Sequence, residues 1–334
     1  MNYGKCLIIA EAGVNHNGRL DLALKLCDAA KEAGADVVKF QTWKTENLLT
    51  RNVEQAEYQT QNIGKQESQF DMLKKLELSY DDFKVIKQHC DEIGILFSST
   101  ADEPESLDFL VSLGIPFIKV GSGDIGNISY LRYMGSKGLP VILSTGMSTL
   151  ADVDISINAL KEGGTTDITV LHCTTNYPCL YEDVNLRAML TLRDAFHFPV
   201  GYSDHTIGRE VAVSAVALGA IIVEKHFTLD CQMEGPDHAA STEPQDFADL
   251  VRAIRTVEAC LGTGVKEPTN AERNISKVVT KRVVAIRPIT EGEVFTEDNI
   301  CVKRNDKGIL ARHWDLVIGR KASKDYLTDE EIQF

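Results

Sequence analysis

The sequence predicts an α/β fold: a TIM (β/α)8 barrel followed by a small β-rich domain. Three observations carry this. Short apolar runs, too brief for helices, alternate with helix-like stretches along residues 5–262. Five of the runs begin within three residues of a glycine suited to the left-handed residue that closes a helix. Nearly every run then ends in polar residues able to do chemistry, as strands do where a barrel opens.

In chain order, the first strand is Cys6–Ala10, and a helix pattern spans Leu20–Ala33. Gly34 then precedes Asp36–Gln41, Gly94 precedes Ile95–Ser99, and Gly114 precedes Phe117–Val120. Gly138 precedes Val141–Ser144, and a helix pattern covers Leu150–Glu162. Asp167–Cys173 and Pro199–Ser203 are the sixth and seventh strands, Gly219 precedes the eighth at Ile221–Lys225, and Phe247–Leu261 closes the unit as a helix. Eight strands alternating with helices over residues 1–262 fit a closed barrel. A doubly wound open sheet shares the alternation, but no G-x-G-x-x-G follows the first strand. Residues 43–77, with the Gln-rich stretch Gln55–Gln69, interrupt the rhythm; such an insertion after a barrel strand belongs to the wall or lid of a site, or is a plain surface excursion. Residues 263–280, with Gly264, Pro268 and mixed charges, read as a linker. Residues 281–334 form the small domain, with β runs at Val283–Ile286, Ile289–Glu293 and Val302–Arg304.

Composition narrows the functional classes. The 334 residues carry 35 basic and 49 acidic side chains, a net charge of −14. That balance argues against a nucleic-acid or anionic-membrane surface, though not against an anionic substrate held by a few local cations. The start has neither the basic leader nor the long apolar run of a signal peptide, and no segment is long enough to span a membrane, so a cytoplasmic location is expected. The eight cysteines form no C-x-x-C pair and are expected to be reduced.

The strand ends supply the candidate site: Glu11; Lys39 and Gln41; Ser99 and Thr100; Lys119, Ser122 and Asp124; Ser144 and Thr145; Thr174, Asn176 and Tyr177; Ser203, Asp204 and His205; Glu224, Lys225 and His226. Lys39 and Lys119 lie in apolar runs, and a buried ammonium needs an anionic partner. That partner is either a carboxylate such as Glu11 or Asp124, or a phosphate or carboxylate ligand approached by Gly121-Ser-Gly123 and Gly146. His205 and His226 end adjacent strands, where two imidazoles can share a divalent cation with open positions left for water and substrate. His172 lies inside a strand and reads as structural. Ser203-Asp204-His205 is not a triad, because consecutive strand residues face opposite ways.

These residues fall within motifs that resemble the bacterial sialic acid synthase family. The match runs through Ile8-Ile-Ala-Glu-Ala-Gly-Val-Asn-His-Asn-Gly18, Val38-Lys-Phe-Gln-Thr42, Lys119-Val-Gly-Ser-Gly-Asp124 and Leu143-Ser-Thr-Gly-Met147. It continues through His172–Pro178, Gly201–His205, Glu224–Asp230 and Gly235–His238, and the tail resembles the antifreeze-like (SAF) domain of that family. The resemblance implies a transferase that condenses phosphoenolpyruvate with N-acetylmannosamine to give N-acetylneuraminate and phosphate by C–O cleavage. An alternative sugar is a di-N-acetylated 6-deoxy hexose, giving an N,N'-diacetyllegionaminate-type acid. A phosphoenolpyruvate-independent metal aldolase is a further alternative. The resemblance gives His205 and His226 a divalent metal, Mn²⁺ with Mg²⁺ or Co²⁺ as substitutes. It gives Lys39, Lys119, Thr100, Ser122, Ser144 and Ser203 the grip on phosphoenolpyruvate, with Asn176 and Tyr177 beside it. Glu11, Gln41 and Asp237 fall on the sugar. Asp124, where many relatives carry Glu, is the acid/base, with Glu11 and Lys39 assisting catalysis. Arg304 is implied to reach the N-acetyl group in the partner's barrel, within a domain-swapped homodimer; here Asn305-Asp306 follows it where relatives carry Pro-Gly.

Overall fold

Eight strands of period two close into a cylinder, and that period decides which side chains meet inside it. The computed structural model describes residues 4–51, 53, 55 and 68–333. The strands are β1 (Leu7–Gly13), β2 (Val37–Thr42), β3 (Leu96–Ala101), β4 (Ile118–Val120), β5 (Val141–Ser144), β6 (Ile168–Cys173), β7 (Val200–Asp204) and β8 (Ile222–His226). They form a closed parallel barrel in sequence order, with β1 sealing against β8 from Leu7↔Ile222 to Glu11↔His226. Each of the eight expected barrel strands is present, displaced by no more than a few residues, whereas the run expected at Ile289–Glu293 is not a strand and makes only isolated bridges such as Ile289 with Tyr326. Gly34, Gly94, Gly114, Gly138 and Gly219 all have positive φ, from 70° to 102°, which is the backbone geometry that halts a helix before the next strand.

Alternation sorts the strand residues into two layers. Ile8 and Ala10, Val38 and Phe40, and Ile118 and Val120 face outward into the large core shared with the helices. Leu7, Ile9, Val37, Phe117, Ile142, Leu171 and Ile222 face inward and plug the cylinder with a smaller apolar cluster. The next inward positions are Glu11, Lys39, Lys119, Ser144, Cys173 and Glu224, so a polar layer rests on an apolar floor.

The chain divides into Met1–Gly262 and Thr263–Phe334. The second unit packs Val283, Ile289, Phe295, Ile300, Val317 and Tyr326 around an antiparallel pair, β9 (Lys281–Ala285) and β10 (Ile300–Arg304). The expected linker is not irregular throughout: Asn270–Val279 is a helix, capped by reciprocal bonds between Thr269 and Glu272. The helix presents no buried residue, which is why no apolar face marks it as one. Much of the Gln-rich stretch, residues 56–67, lies outside the described residues. No described helix is long and apolar enough to cross a membrane.

Candidate active site

The polar layer opens into a cavity of about 280 Å³ lined from all eight strands. Its floor is an ionic network. Lys39 Nζ meets Glu11 Oε2 at 2.6 Å and donates to Thr100 Oγ1 at 3.0 Å. Lys119 Nζ donates to Ser144 Oγ at 2.7 Å and to the Val120 carbonyl at 3.2 Å. Glu224 Oε1 stands between the two ammonium groups, 3.8 Å from Lys39 and 3.7 Å from Lys119. Thus Lys39 takes the expected Glu11, whereas the carboxylate nearest Lys119 is Glu224, not Glu11 or Asp124.

The two lysines differ electrostatically. Burial pulls the Lys39 pKa down, but Glu11 and Glu224 outweigh it and hold it above the ordinary value. At Lys119 burial wins, and the pKa falls. Burial raises the Glu11 carboxyl, with Lys39 opposing. Glu224 ends below its usual range because Lys119 and Lys39 overcome its burial.

The imidazoles lie at the same level, ring centroids 5.4 Å apart, with Tyr177 against both. His205 Nδ1 lies 2.7 Å from the Thr174 carbonyl, which can only accept, so this nitrogen carries the hydrogen and Nε2 keeps its lone pair. His226 Nδ1 is buried without a hydrogen-bond partner, and burial drives the His226 pKa well down, keeping the ring neutral. Burial lowers the His205 pKa, but its hydrogen bonds with Cys173 and the Thr174 carbonyl outweigh it and hold the ring above its ordinary value. Only His226 therefore offers a neutral ring with an uncommitted nitrogen, though both side chains are of the donor type a divalent cation takes. Among the described residues no group of three His, Cys, Asp or Glu side chains is arranged to hold a metal ion.

Most of the expected residues meet here: Gln41, Ser122, Ser203 and Asp237 line the same cavity as the lysines and histidines. Gln41 Nε2 donates to Glu11 Oε1 at 3.1 Å, and burial lifts the Asp237 pKa to about 6. Four expectations need correction. Asn176 is exposed, and its neighbour Thr175 lines the cavity instead. Asp124 stands in a short 3-10 turn, accepts from Asn127 at 3.1 Å and does not line the cavity. Asp204 and Lys225, counted among the strand ends, face outward and pair with each other at 2.7 Å while buried. That leaves Ser203 and His205 on the inner face, as alternation requires. Arg304 is exposed on β10 of the second unit. His172 is structural, hydrogen-bonded to the Val184 carbonyl at 2.7 Å.

Sequence reasoning missed Asp102 and Cys173. Asp102 sits one residue beyond β3 and lines the cavity; burial, with the charge of Asp124, pushes its pKa up to about 8. Its signal was its place just after Thr100. Cys173 ends β6 and contacts Ser122 Oγ at 3.6 Å.

A closed barrel with cationic side chains, hydroxyls and paired imidazoles at the carboxyl ends of its strands is the arrangement of a barrel enzyme. The chain belongs to the NeuB family, which it matches over residues 26–266; residues 280–333 match the SAF domain. It is 44% identical to the N,N'-diacetyllegionaminic acid synthase of Campylobacter jejuni over 98% of this chain and 99% of that one. It is 45% identical to the Legionella pneumophila enzyme of the same name, over 95% and 90%. A solved N-acetylneuraminic acid synthetase from Leptospira borgpetersenii superposes with a TM-score of 0.73 at 34% identity, covering 81% of this chain and 90% of that one. The relatives are thus sugar-acid synthases. The order of sugars expected from the motifs is reversed: the legionaminic acid synthases are the more similar. The motifs belong to the shared chemistry and do not report the sugar.

Proposed function

We propose that this chain is a nonulosonate synthase. It condenses phosphoenolpyruvate with a di-N-acetylated 6-deoxy hexose, giving an N,N'-diacetyllegionaminate-type acid and phosphate. One observation carries the chemistry: two buried ammonium groups share one carboxylate beside paired imidazoles in a single cavity. The choice of sugar rests on the 44% identity to the Campylobacter enzyme along nearly the whole of both chains.

Lys119, with its incomplete compensation, and Lys39 grip the phosphate and carboxylate of phosphoenolpyruvate, aided by the hydroxyls of Thr100, Ser122, Ser144 and Ser203. Carbon 3 bonds to the aldehyde carbon of the open-chain sugar, and the aldehyde oxygen takes up a proton. Water adds at carbon 2, and phosphate leaves with the bridging oxygen, so the 2-keto acid remains. Glu11, raised by burial, is placed to move the proton. Asp124 acts on Asp102 by charge rather than by direct transfer. Gln41 and Asp237 hold sugar hydroxyls, and Tyr177 orients the imidazoles. A divalent metal held by His205 and His226, with Mn²⁺ the first choice, would supply Lewis-acid polarisation of the aldehyde. The working unit is a domain-swapped homodimer in which Arg304 reads the N-acetyl group in the partner's barrel, and the cytoplasm is its compartment. The test is phosphate release with a sugar panel, followed by product mass. Phosphate should appear with the di-N-acetylated 6-deoxy sugar at the highest kcat/KM. Product formed without phosphate release would establish the aldolase instead.

A further inference from the structure

The cavity is not polar throughout. Val14, Trp43, Met72 and Leu76 form a small apolar cluster separate from the barrel's core, with Leu48 and Leu73 packed on it. It is built by the insertion after β2, whose helix Gln69–Leu76 carries Met72, Leu73 and Leu76. Val14, Met72 and Leu73 turn part of this cluster into cavity wall. Trp43 fixes it from behind, its indole N–H donating to Thr45 Oγ1 at 3.1 Å. The sulfur of Met72, a weak acceptor, takes a hydrogen bond from Gln55 Nε2 at 3.3 Å.

Phosphoenolpyruvate has no methyl group, and in the reading above the N-acetyl group falls to Arg304, so a sugar hydroxylated at carbon 6 has no further apolar end to set against such a wall. We infer that Val14, Met72 and Leu73 form a subsite for the methyl group at carbon 6 of a 6-deoxy sugar. This rests on the synthase reading above and names the feature of the sugar that the site selects. The aldehyde reacts at the strand ends, beside the lysines and imidazoles. Carbon 6 is the far end of the open chain, and Met72 and Leu73 lie on the helix of the insertion, not on the strands that carry Lys39, Lys119 and His226. A hydroxyl placed there leaves water without gaining a partner, whereas a methyl group leaves water at a gain. An apolar pocket rejects an added hydroxyl only moderately, so the preference should be about 10- to 100-fold in kcat/KM.

The test compares N-acetylmannosamine with its 6-deoxy analogue by phosphate release, for the wild type, Met72→Gln and Leu73→Gln. The wild type should favour the 6-deoxy sugar. Each variant should bring the ratio toward one, with KM for phosphoenolpyruvate held. Leu73 is only half-buried, so Leu73→Gln decides if Met72→Gln does not fold. Equal use of both sugars by the wild type, or an unchanged ratio in a folded variant, overturns the subsite while the synthase stands. A variant that alters only the choice between mono- and di-acetylated sugars also overturns it, because the wall would then read an acetamido group. No phosphate with any sugar overturns the synthase reading itself.

Discussion

Lys39 and Lys119 share a side chain and a layer, yet their partners make them different cations. Lys39 has a carboxylate at 2.6 Å, whereas Lys119 has its nearest one at 3.7 Å and a depressed pKa. An anion entering the cavity therefore gains most at Lys119. A charge-assisted hydrogen bond is worth about 1.5–3 kcal/mol, so Lys119→Ala should cut kcat/KM for phosphoenolpyruvate by about 10- to 100-fold and spare KM for the sugar. Steady-state kinetics varying each substrate checks this; equal damage to both would remove Lys119 from the phosphate grip. Asp102 makes a prediction of opposite character. Its folded pKa of about 8 lies above the unfolded value of 3.8, so the folded state holds a proton that the unfolded chain releases. The stability this proton contributes is complete below the unfolded value and is lost as pH rises toward 8. Asp102→Asn keeps a neutral group at every pH. The variant's Tm advantage over the wild type should grow between about pH 5 and pH 8, read by scanning calorimetry. A constant gap would show that Asp102 ionises freely in the folded enzyme.

At the level of elements, a loop positions what the strands supply. After β5, Gly146 N–H donates to Ser122 Oγ at 3.0 Å, tying the loops after β4 and β5 together. A Cβ at 146 would collide with Thr175 Oγ1 and lie 2.8 Å from Ser122 Oγ, so two residues lining the cavity would have to move. A displacement of about 1 Å at a reacting centre can cost about 100-fold in rate. Gly146→Ala should lower kcat/KM for phosphoenolpyruvate by about that factor while Tm falls little; activity within twofold of the wild type would show that the loop can yield. Gly146 was expected to bring backbone near an anion, and its N–H instead donates to Ser122 Oγ; the strands were legible from glycine followed by a β-rich run. Lys39 and Lys119 stood out because an ammonium in an apolar run has few explanations. What stayed hidden depended on three-dimensional neighbours. Thr175 and Asn176 are adjacent, and only the backbone after β6 decides which one turns inward. Asp204 and Lys225 looked like site residues because alternation was not carried through to the ends of β7 and β8. Glu224, counted among the strand ends, gave no hint that it serves both lysines, since that pairing joins β8 to β2 and β4.

The helix Asn270–Val279 bears on the whole molecule. Ile275, Val278 and Val279 recur at helical spacing and are all exposed in the single chain. An apolar stripe on an otherwise charged helix is stable when a second surface covers it. In the homodimer proposed above, tail and barrel come from different chains, and that arrangement has a consequence a self-contained chain lacks. Mix a His226→Ala chain with an Arg304→Ala chain, each defective alone. If each tail completes the partner's barrel, a mixed dimer has one barrel with its histidine served by a tail with its arginine, and one site defective in both. Random re-pairing makes half the dimers mixed, so activity should recover to about one quarter of wild type. If each tail serves its own barrel, every site retains one defect and mixing restores nothing. Phosphate release after joint denaturation and refolding, against each variant refolded alone, separates the two arrangements. Size-exclusion chromatography of the mixture shows that dimers have re-formed, so silence in re-formed dimers would count against the swapped assembly rather than against refolding.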